Sequence, residues 1–374
     1  MRWIKRVLGG FVILLGVAIA AVGIAIGYDA ACPERPELDA AIAPGQAIVY
    51  RCYGGPEVLA LEPVVTPVPA ADQVLVRVHA AAVNPLDWHY LRGKPYLMRL
   101  LSGIGRPSDT RLGVDFAGVV EAVGASVTGF KPGDAVFGSA SGAFGEYVVV
   151  RGHRAIALKP ANVSFAAAAA TPIAAVTALQ ALRDKARLRA GQKVLVNGAS
   201  GGVGTYAVQI AKAWGAEVTA VCSTRNVELV RSLGADHVID YTQENFTTGD
   251  VRYDVIIDNV GSHSLADYLR VLATDGVLVT VGDAGMGDWV DPLLGPLQSA
   301  LAAPFISQRL EGILAELNQA DLVVLAAMLQ SGELRSVLDR RYPLAEVPAA
   351  VAYVEKGRAR GKVVIDVVPA ADVR

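Results

Sequence analysis

The stretch that most limits the possible fold is the glycine-rich turn NGASGGVG, residues 197–204, which follows the apolar run KVLV. Ala199, Gly201 and Gly204 hold the three small-residue positions of the dinucleotide-binding pattern, and a helical pattern begins within the turn. Small residues let the backbone approach a pyrophosphate, and the amides and dipole of the following helix favour its negative charge. A turn that only requires positive φ is the alternative. The residues predicted to bind the cofactor here are Gly201, Gly202, Val203 and Gly204.

The pattern of predicted strands and helices differs between the first and second halves of the chain. From residue 164 to residue 318, helical patterns alternate with apolar strands such as EVTAVCS and YDVIIDNVG, which is typical of a doubly wound Rossmann sheet. Residues 46–163 show short strands separated by glycine and proline turns, which indicates a β-rich domain. The tail, residues 319–374, contains further helices and strands that can return to the first domain. The predicted fold class is therefore α/β with two domains.

The end of the strand EVTAVCS bears on the choice of cofactor. An Asp or Glu about 20 residues after the glycine turn normally binds the ribose 2′-hydroxyl, but here the chain has Ser223 and then Arg225. A carboxylate would repel a 2′-phosphate, whereas a hydroxyl and a guanidinium bind it by charge-assisted hydrogen bonds. Tyr241 either reaches the same pocket or packs in the core. The sequence predicts NADP(H), with a solvated Arg225 as the alternative.

Composition excludes several classes of function. The 374 residues carry a formal net charge of -2, with no dense Lys/Arg run that has interleaved aromatic residues, so we expect no nucleic-acid partner. The three cysteines, Cys32, Cys52 and Cys222, show no CxxC spacing. We expect from them neither a disulfide framework nor a zinc cluster.

The first 31 residues differ from the rest of the chain. After the basic MRWIKR, residues 7–28 carry no charge, and at about 1.5 Å per residue they would cross a bilayer core of about 30 Å. We predict a single-pass membrane anchor over residues 1–31, followed by a linker over residues 32–45. The alternatives are a cleaved signal peptide with small residues at Ala25 and Gly27, a lipoprotein signal at Cys32, and a buried globular helix. The basic residues before the segment keep the N-terminus in the cytoplasm, which would separate the body from cytosolic NADPH and leaves the membrane side open.

Together with the β-rich first half, the segments NGASGGVG, CSTRN, LGADHVIDY and YDVIIDNVG resemble the medium-chain dehydrogenase/reductase superfamily. The particular likeness is to its zinc-free quinone oxidoreductase branch, the zeta-crystallin-like proteins, and covers residues from about 47 to 367. It implies a GroES-like catalytic domain over residues 46–163, completed by residues 319–374, and a Rossmann NADP-binding domain over residues 164–318. It also implies an active site in the cleft between them, and a homodimer.

The metal positions of the zinc-dependent relatives are changed in this sequence. Asn84 stands where those relatives carry a cysteine ligand, and Gly113, Val114 and Asp115 stand where they carry Gly-His-Glu. Because thiolate and imidazole ligands are missing, we expect no zinc. Alcohol oxidation would then lack a Lewis acid for the alkoxide, whereas reduction of a quinone or enone needs only hydrogen-bond donors near the developing oxyanion.

The resemblance supplies the candidate catalytic residues. It places Asn84 in the cleft as a hydrogen-bond donor and His89 as a proton donor, with Tyr53 and Tyr90 as further donors. An asparagine before proline is alternatively a turn former, and a lone histidine is often a packing residue.

Three further positions follow from the same likeness. Thr177 and Val281 match family positions beside the nicotinamide. Val227 replaces a lysine common in the branch, which leaves Arg225 alone to bind the 2′-phosphate.

We therefore expect a membrane-tethered, NADPH-dependent oxidoreductase that transfers hydride to a small-molecule quinone, enone or other activated carbonyl without zinc. The alternatives are an NADP-dependent alcohol dehydrogenase and a catalytically silent, nucleotide-binding sensor or scaffold at the membrane.

Overall fold

The structure is a computed structural model that describes residues 22–34, 44–282, 287–289 and 291–368. Its strands are β1 (Pro44–Val49), β2 (Ala60–Val65), β3 (Gln73–Val83), β4 (Asp115–Val123), β5 (Ala135–Ser139), β6 (Tyr147–Arg151), β7 (Ile156–Leu158), β8 (Lys193–Asn197), β9 (Glu217–Cys222), β10 (His237–Asp240), β11 (Tyr253–Asp258), β12 (Leu272–Thr280), β13 (Arg309–Gly312), β14 (Leu338–Pro343) and β15 (Lys362–Asp366).

Two helices lie between β3 and β4, and the others come after β7. They are α1 (Pro85–Arg92), α2 (Arg99–Ser102), α3 (Phe165–Ala169), α4 (Pro172–Gln180), α5 (Gly202–Ala213), α6 (Val227–Ser232), α7 (Leu265–Val271), α8 (Asp291–Ala302), α9 (Gln319–Ser331) and α10 (Val347–Glu355). Residues 22–27 are also helical.

The parallel sheet predicted for the second half of the chain is present. Its strand order is β10-β9-β8-β11-β12-β13, and every pairing in it is parallel. Strands β8 and β11 are apolar on both faces because helices cover both sides of such a sheet. The strand order reverses at β8, because β9 pairs with one side of it and β11 with the other. Ligands bind at such a switch point, at the carboxyl ends of the strands.

The first half of the chain forms a mainly antiparallel sheet that also contains the tail. Its order is β14-β15-β3-β4-β5-β7, with β6 on another part of β3. Strand β15 lies antiparallel to β3, with Val363 opposite Val83. The buried leucines of α9, by contrast, pack in the core cluster of the parallel sheet. The predicted domain limits, residues 46–163 with 319–374 and residues 164–318, stay a prediction.

The prediction of a single-pass membrane anchor is wrong. Among the residues that the structure describes, no helix is long and apolar enough to cross a bilayer. The described end of the predicted segment packs on the protein, where Ile26 is buried and the Ala30 amide donates to the Gly105 carbonyl at 2.9 Å. Residues 1–21 of the predicted anchor and residues 35–43 of the predicted linker lie outside the described residues.

The expectation about cysteines also needs correction. Cys32 and Cys52 are joined by a disulfide, and their Cα atoms lie 4.9 Å apart. Cys222 is free and buried. Sequence spacing could not show this pair, because the fold brings the segment after the N-terminal helix back onto the loop after β1.

Candidate active site

The glycine turn joins β8 to α5 at the switch point of the parallel sheet. Gly198 has φ of +74°, and Gly201 is the N-cap of α5. A Cβ atom at Gly204 would lie 2.2 Å from the Gly198 carbonyl oxygen, so only glycine fits there. A Cβ at Gly201 would come no closer than 3.4 Å to Gly198, which leaves this part of the turn open. The turn and the first amides of α5 therefore fit a pyrophosphate.

Asn226 is a site residue that sequence reasoning missed. Its Nδ2 donates to Ser200 Oγ at 2.9 Å and to Ser223 Oγ at 3.2 Å, so it ties the glycine turn to the end of β9. Asn226 is 4% exposed, and its Oδ1 is buried without a hydrogen-bond partner among the described residues. A buried acceptor of this kind suits a ribose hydroxyl. Its position directly after Arg225 was the only signal in the sequence.

Arg225 and Tyr241 lie at the outer edge of the same region. The Arg225 side chain is exposed, and its Nη2 donates to the Arg358 carbonyl at 2.9 Å. This contact fixes the guanidinium, whose other N–H groups have no hydrogen-bond partner in the part of the chain that the structure describes. Tyr241 is 54% exposed, so it does not pack in the core. Asp240 lies nearby, but its carboxylate accepts from the Thr224 hydroxyl at 2.5 Å.

Val281 and Thr177 are placed differently from each other. Val281 follows β12 at the carboxyl edge of the sheet, is half-buried, and donates its amide to the Asp258 carbonyl at 2.8 Å. Thr177 is buried in α4, and its hydroxyl donates to the Ile173 carbonyl at 2.7 Å within the same helix. The Thr177 proton is thus already used, and the roles of both residues beside the nicotinamide stay predictions.

Asn84 belongs to a buried polar cluster. Its Nδ2 donates to Asp115 Oδ2 at 3.0 Å and to the Ala82 carbonyl at 3.3 Å, while its Oδ1 accepts from Lys362 Nζ at 2.5 Å. Its backbone amide donates to Asp87 Oδ2 at 2.7 Å and so caps α1. Asn84 is 2% exposed, and both hydrogens of its amide are engaged. This geometry favours the turn and capping role over the predicted role as donor to an acceptor, which stays a prediction.

Lys362 was not anticipated from the sequence. It is 3% exposed, and its Nζ lies 3.5 Å from Asp115 Oδ2. Burial lowers the pKa of Lys362, and burial raises the pKa of Asp115 against the opposing effect of Lys362. Burial also raises the pKa of Asp87 to about 7. The only sequence signal was a lysine opening the apolar strand β15.

The same cluster adjoins the glycine turn. The Gly361 amide donates to the Ser200 carbonyl at 2.8 Å, and a Cβ at Gly202 would lie 3.2 Å from Lys362 Cδ. Strand β15 of the antiparallel sheet therefore begins against the turn of the parallel sheet. The two sheets meet where the cofactor and the candidate catalytic residues were both predicted.

The remaining predicted donors are mostly occupied. His89 Nδ1 is hydrogen-bonded to the Lys94 carbonyl at 2.8 Å, so Nδ1 carries the proton, and burial lowers the His89 pKa. The neutral ring then has no proton on Nε2 to give, which weighs against the predicted acid role. The Tyr53 hydroxyl donates to the Gly103 carbonyl at 2.6 Å. Tyr90 is half-buried, and its hydroxyl makes no hydrogen bond to a described residue.

Asn84 and Asp115, which stand where the zinc-dependent relatives carry metal ligands, belong to the buried polar cluster. Among the described residues, no group of three or more His, Cys, Asp or Glu side chains is suited to a metal ion. At Asn84 and Asp115 the positive charge comes from Lys362 instead. The expected absence of zinc stays a prediction.

The chain thus has a β-rich half and a parallel sheet with a glycine turn at its switch point. The buried polar cluster of the antiparallel sheet lies beside that turn. These features define a nicotinamide-dependent oxidoreductase with a GroES-like and a Rossmann part. Residues 70–160 match the alcohol dehydrogenase GroES-like domain, and residues 233–365 match the zinc-binding dehydrogenase family. The chain belongs to the medium-chain dehydrogenase/reductase superfamily and has quinone oxidoreductase-like relatives. The resemblance and the predicted pairing of a GroES-like with a Rossmann part are confirmed.

Individual relatives are similar over most of their length. The chain is 37% identical over 338 residues to a 2-methylene-furan-3-one reductase of Solanum lycopersicum, covering 86% of this chain and 78% of that one. It is 34% identical over 368 residues to the chloroplastic NADPH-dependent alkenal/one oxidoreductase of Arabidopsis thaliana, covering 94% and 84%. The solved quinone oxidoreductase from Coxiella burnetii matches with a TM-score of 0.77 and 30% identity, covering 87% of this chain and 100% of that one.

Proposed function

We propose that this oxidoreductase uses NADPH to reduce enones, alkenals or quinones. The observation that carries the choice of cofactor is the end of β9, where Ser223 and Arg225 stand in place of an acid. The Arg358 carbonyl holds the guanidinium beside that position. The choice of acceptor is supported by relatives named for alkenal/one, furanone and quinone substrates.

The residues of this chain would hold the cofactor in three places. The glycine turn and the first amides of α5 would bind the pyrophosphate, and Asn226 Oδ1 would accept from a ribose hydroxyl. Arg225 would bind the 2′-phosphate by charge-assisted hydrogen bonds. When bound, the nicotinamide supplies the hydride.

Tyr90 is the donor that we propose for the acceptor oxygen. Asn84, His89 and Tyr53 already use their donor protons within the protein, whereas the Tyr90 hydroxyl has no partner among the described residues. Reduction of an enone creates negative charge on oxygen, and a phenol can both hydrogen-bond to that oxygen and protonate it.

The cofactor proposal is tested with two variants. Arg225→Ala should weaken NADPH binding about tenfold to a hundredfold, the value of one charge-assisted contact, and leave NADH binding unchanged. Ser223→Asp should favour NADH further because its carboxylate repels the 2′-phosphate. Arg231→Ala, which breaks an exposed ion pair with Glu228 on α6, is the matched control. Equal effects of Arg225→Ala on both cofactors, measured by titration, would refute the assignment.

The acceptor proposal is tested with the purified chain and a panel of enones, alkenals and quinones. Acceptor-dependent loss of NADPH absorbance supports it. Reduction of NADP by simple alcohols would instead indicate an alcohol dehydrogenase, and cofactor binding without turnover would indicate a sensor. We also propose a homodimer, which sedimentation equilibrium of the same preparation tests.

A further inference from the structure

Residues 22–32 form a segment that lies before both matched family regions and packs against the described body. We call it the N-terminal strap. It begins as the short helix of residues 22–27 and ends at the disulfide between Cys32 and Cys52. Ile26 is 4% exposed, so the strap is packed in place.

Arg99 is the main anchor of the strap. It is 1% exposed, and its Nη1 donates to the carbonyls of Ile26 at 3.0 Å and Tyr28 at 3.1 Å. Its Nη2 lies 2.8 Å from the Asp29 carboxylate. A buried guanidinium is costly unless its donors are satisfied, and here the strap supplies three of the acceptors.

The rings around Arg99 connect the strap to the predicted donors. The guanidinium carbon lies 4.3 Å from the centre of the Tyr53 ring and 4.7 Å from that of Tyr96. Tyr53 directly follows Cys52, and the loop that carries Tyr96 follows α1, where His89 is bonded to Lys94. The strap therefore covers the loop next to the predicted catalytic residues.

The strap also reaches the other sheet's side of the molecule. A Cβ at Gly27 would lie 3.0 Å from the Trp289 ring, so the two are in contact. The Tyr96 amide donates to the Asp288 carbonyl at 2.7 Å, and Lys94 Nζ lies 2.6 Å from the Asp288 carboxylate. Asp288 and Trp289 follow β12 and Val281 in the chain, and Val281 is a residue predicted to lie beside the nicotinamide.

We propose that the N-terminal strap closes the outer end of the cleft and limits the size of the acceptor that reaches the cofactor. It does so because it spans the loop after α1 and the segment after β12, and because Arg99 and the disulfide fix it there. The substrate part of this inference rests on the proposed function.

Two variants loosen the strap at different points. Cys32→Ser removes the disulfide, and Asp29→Asn removes the ion pair with Arg99 at an exposed carboxylate. Asp72→Asn, which breaks the exposed ion pair with Arg151, is the matched control. Hydrogen exchange of the Ala30 and Tyr96 amides reports whether the strap has opened, without any need for turnover.

Entry into the cleft is measured by quenching the fluorescence of bound NADPH with acrylamide and with a bulkier neutral nitroxide. We expect the quenching constant of the nitroxide, divided by that of acrylamide, to rise about tenfold in both strap variants. A tight pocket discriminates by about this factor against a single extra methylene group, so loss of the strap should relax the size limit by at least as much. The kcat/KM ratio for bulky over small enones should rise in parallel. Faster exchange at Ala30 with an unchanged quenching ratio would overturn the proposal. A wild-type chain that reduces no acceptor would overturn the proposed function alone, since quenching still decides the role of the strap.

Discussion

Lys362→Met should destabilise the protein strongly, because it leaves a buried carboxylate without its cation. Lys362 Nζ lies 3.5 Å from Asp115 Oδ2 and 2.5 Å from Asn84 Oδ1, and none of the three side chains is more than 4% exposed. Methionine has a similar length and fills the same space. The variant therefore tests charge and hydrogen bonding, and it leaves packing nearly unchanged.

The size of the effect follows from the geometry. Two unit charges 3.5 Å apart attract by about 5 kcal/mol at an effective dielectric constant of about 20. The desolvation of both groups offsets much of that energy in the intact protein, but removing one partner leaves the other charge buried and unpaired. We expect the free energy of unfolding to fall by about 3–5 kcal/mol.

Urea unfolding followed by circular dichroism measures this change. Asp115→Asn and the double variant complete a cycle, in which we expect a coupling energy of about 1–3 kcal/mol. Lys212→Met is the matched control, since its partner Asp236 is on the surface and such pairs contribute about 1 kcal/mol or less. If Lys362→Met lowered the free energy of unfolding no more than Lys212→Met, the buried charge pair would be worth no more than an exposed one, and this reasoning would be refuted.

Three further predictions concern single side chains. Gly204→Ala should lower the free energy of unfolding by about 1–3 kcal/mol and abolish cofactor binding, because its Cβ would meet the Gly198 carbonyl, whereas Gly129→Ala, in open space, should do neither in the same titration. Burial raises the pKa of Asp87 from 3.8 to about 7, so the folded protein holds this proton more tightly than the unfolded chain does. The contribution of Asp87 to the free energy of unfolding is therefore complete below pH 3.8 and is lost as the pH rises to about 7. Asp87→Asn should remove this pH dependence. Between pH 3.8 and 7, the difference in the free energy of unfolding between wild type and variant, from urea unfolding, should change by about 4 kcal/mol. A difference that stays constant with pH would contradict the raised pKa. Tyr90→Phe should lower kcat for enones about a hundredfold with unchanged NADPH affinity, and an unchanged kcat would remove Tyr90 as donor.

The sequence was most informative where function depends on neighbouring residues. The glycine turn, the strand before it and Ser223 lie within one βαβ unit, so their spacing alone placed them at one edge of the sheet. The alternation of strands and helices likewise predicted the parallel sheet, because local periodicity follows which faces are buried.

The buried cluster and the strap could not be predicted in this way. Lys362 and Asn84 are 278 positions apart in the chain, and only the pairing of β15 with β3 brings them together. Asn84 matched a family position, but its donors are consumed by partners that sequence spacing does not show. Uncharged residues before Tyr28 favoured a membrane helix, whereas the carbonyls of Ile26 and Tyr28 bind the buried guanidinium of Arg99.

The position of β15 has a consequence for how this chain is made. Strand β3 is synthesised long before β15, the last strand of the described chain. Residues 80–83 of β3, which pair with β15 in the folded protein, therefore stay unpaired along that edge during most of translation. An open edge of this kind pairs readily with other chains, and contacts distant in sequence form slowly. The antiparallel sheet therefore reaches its final form only after β15 has left the ribosome and paired with β3. Nascent chains stalled shortly before Lys362 would be prone to aggregate.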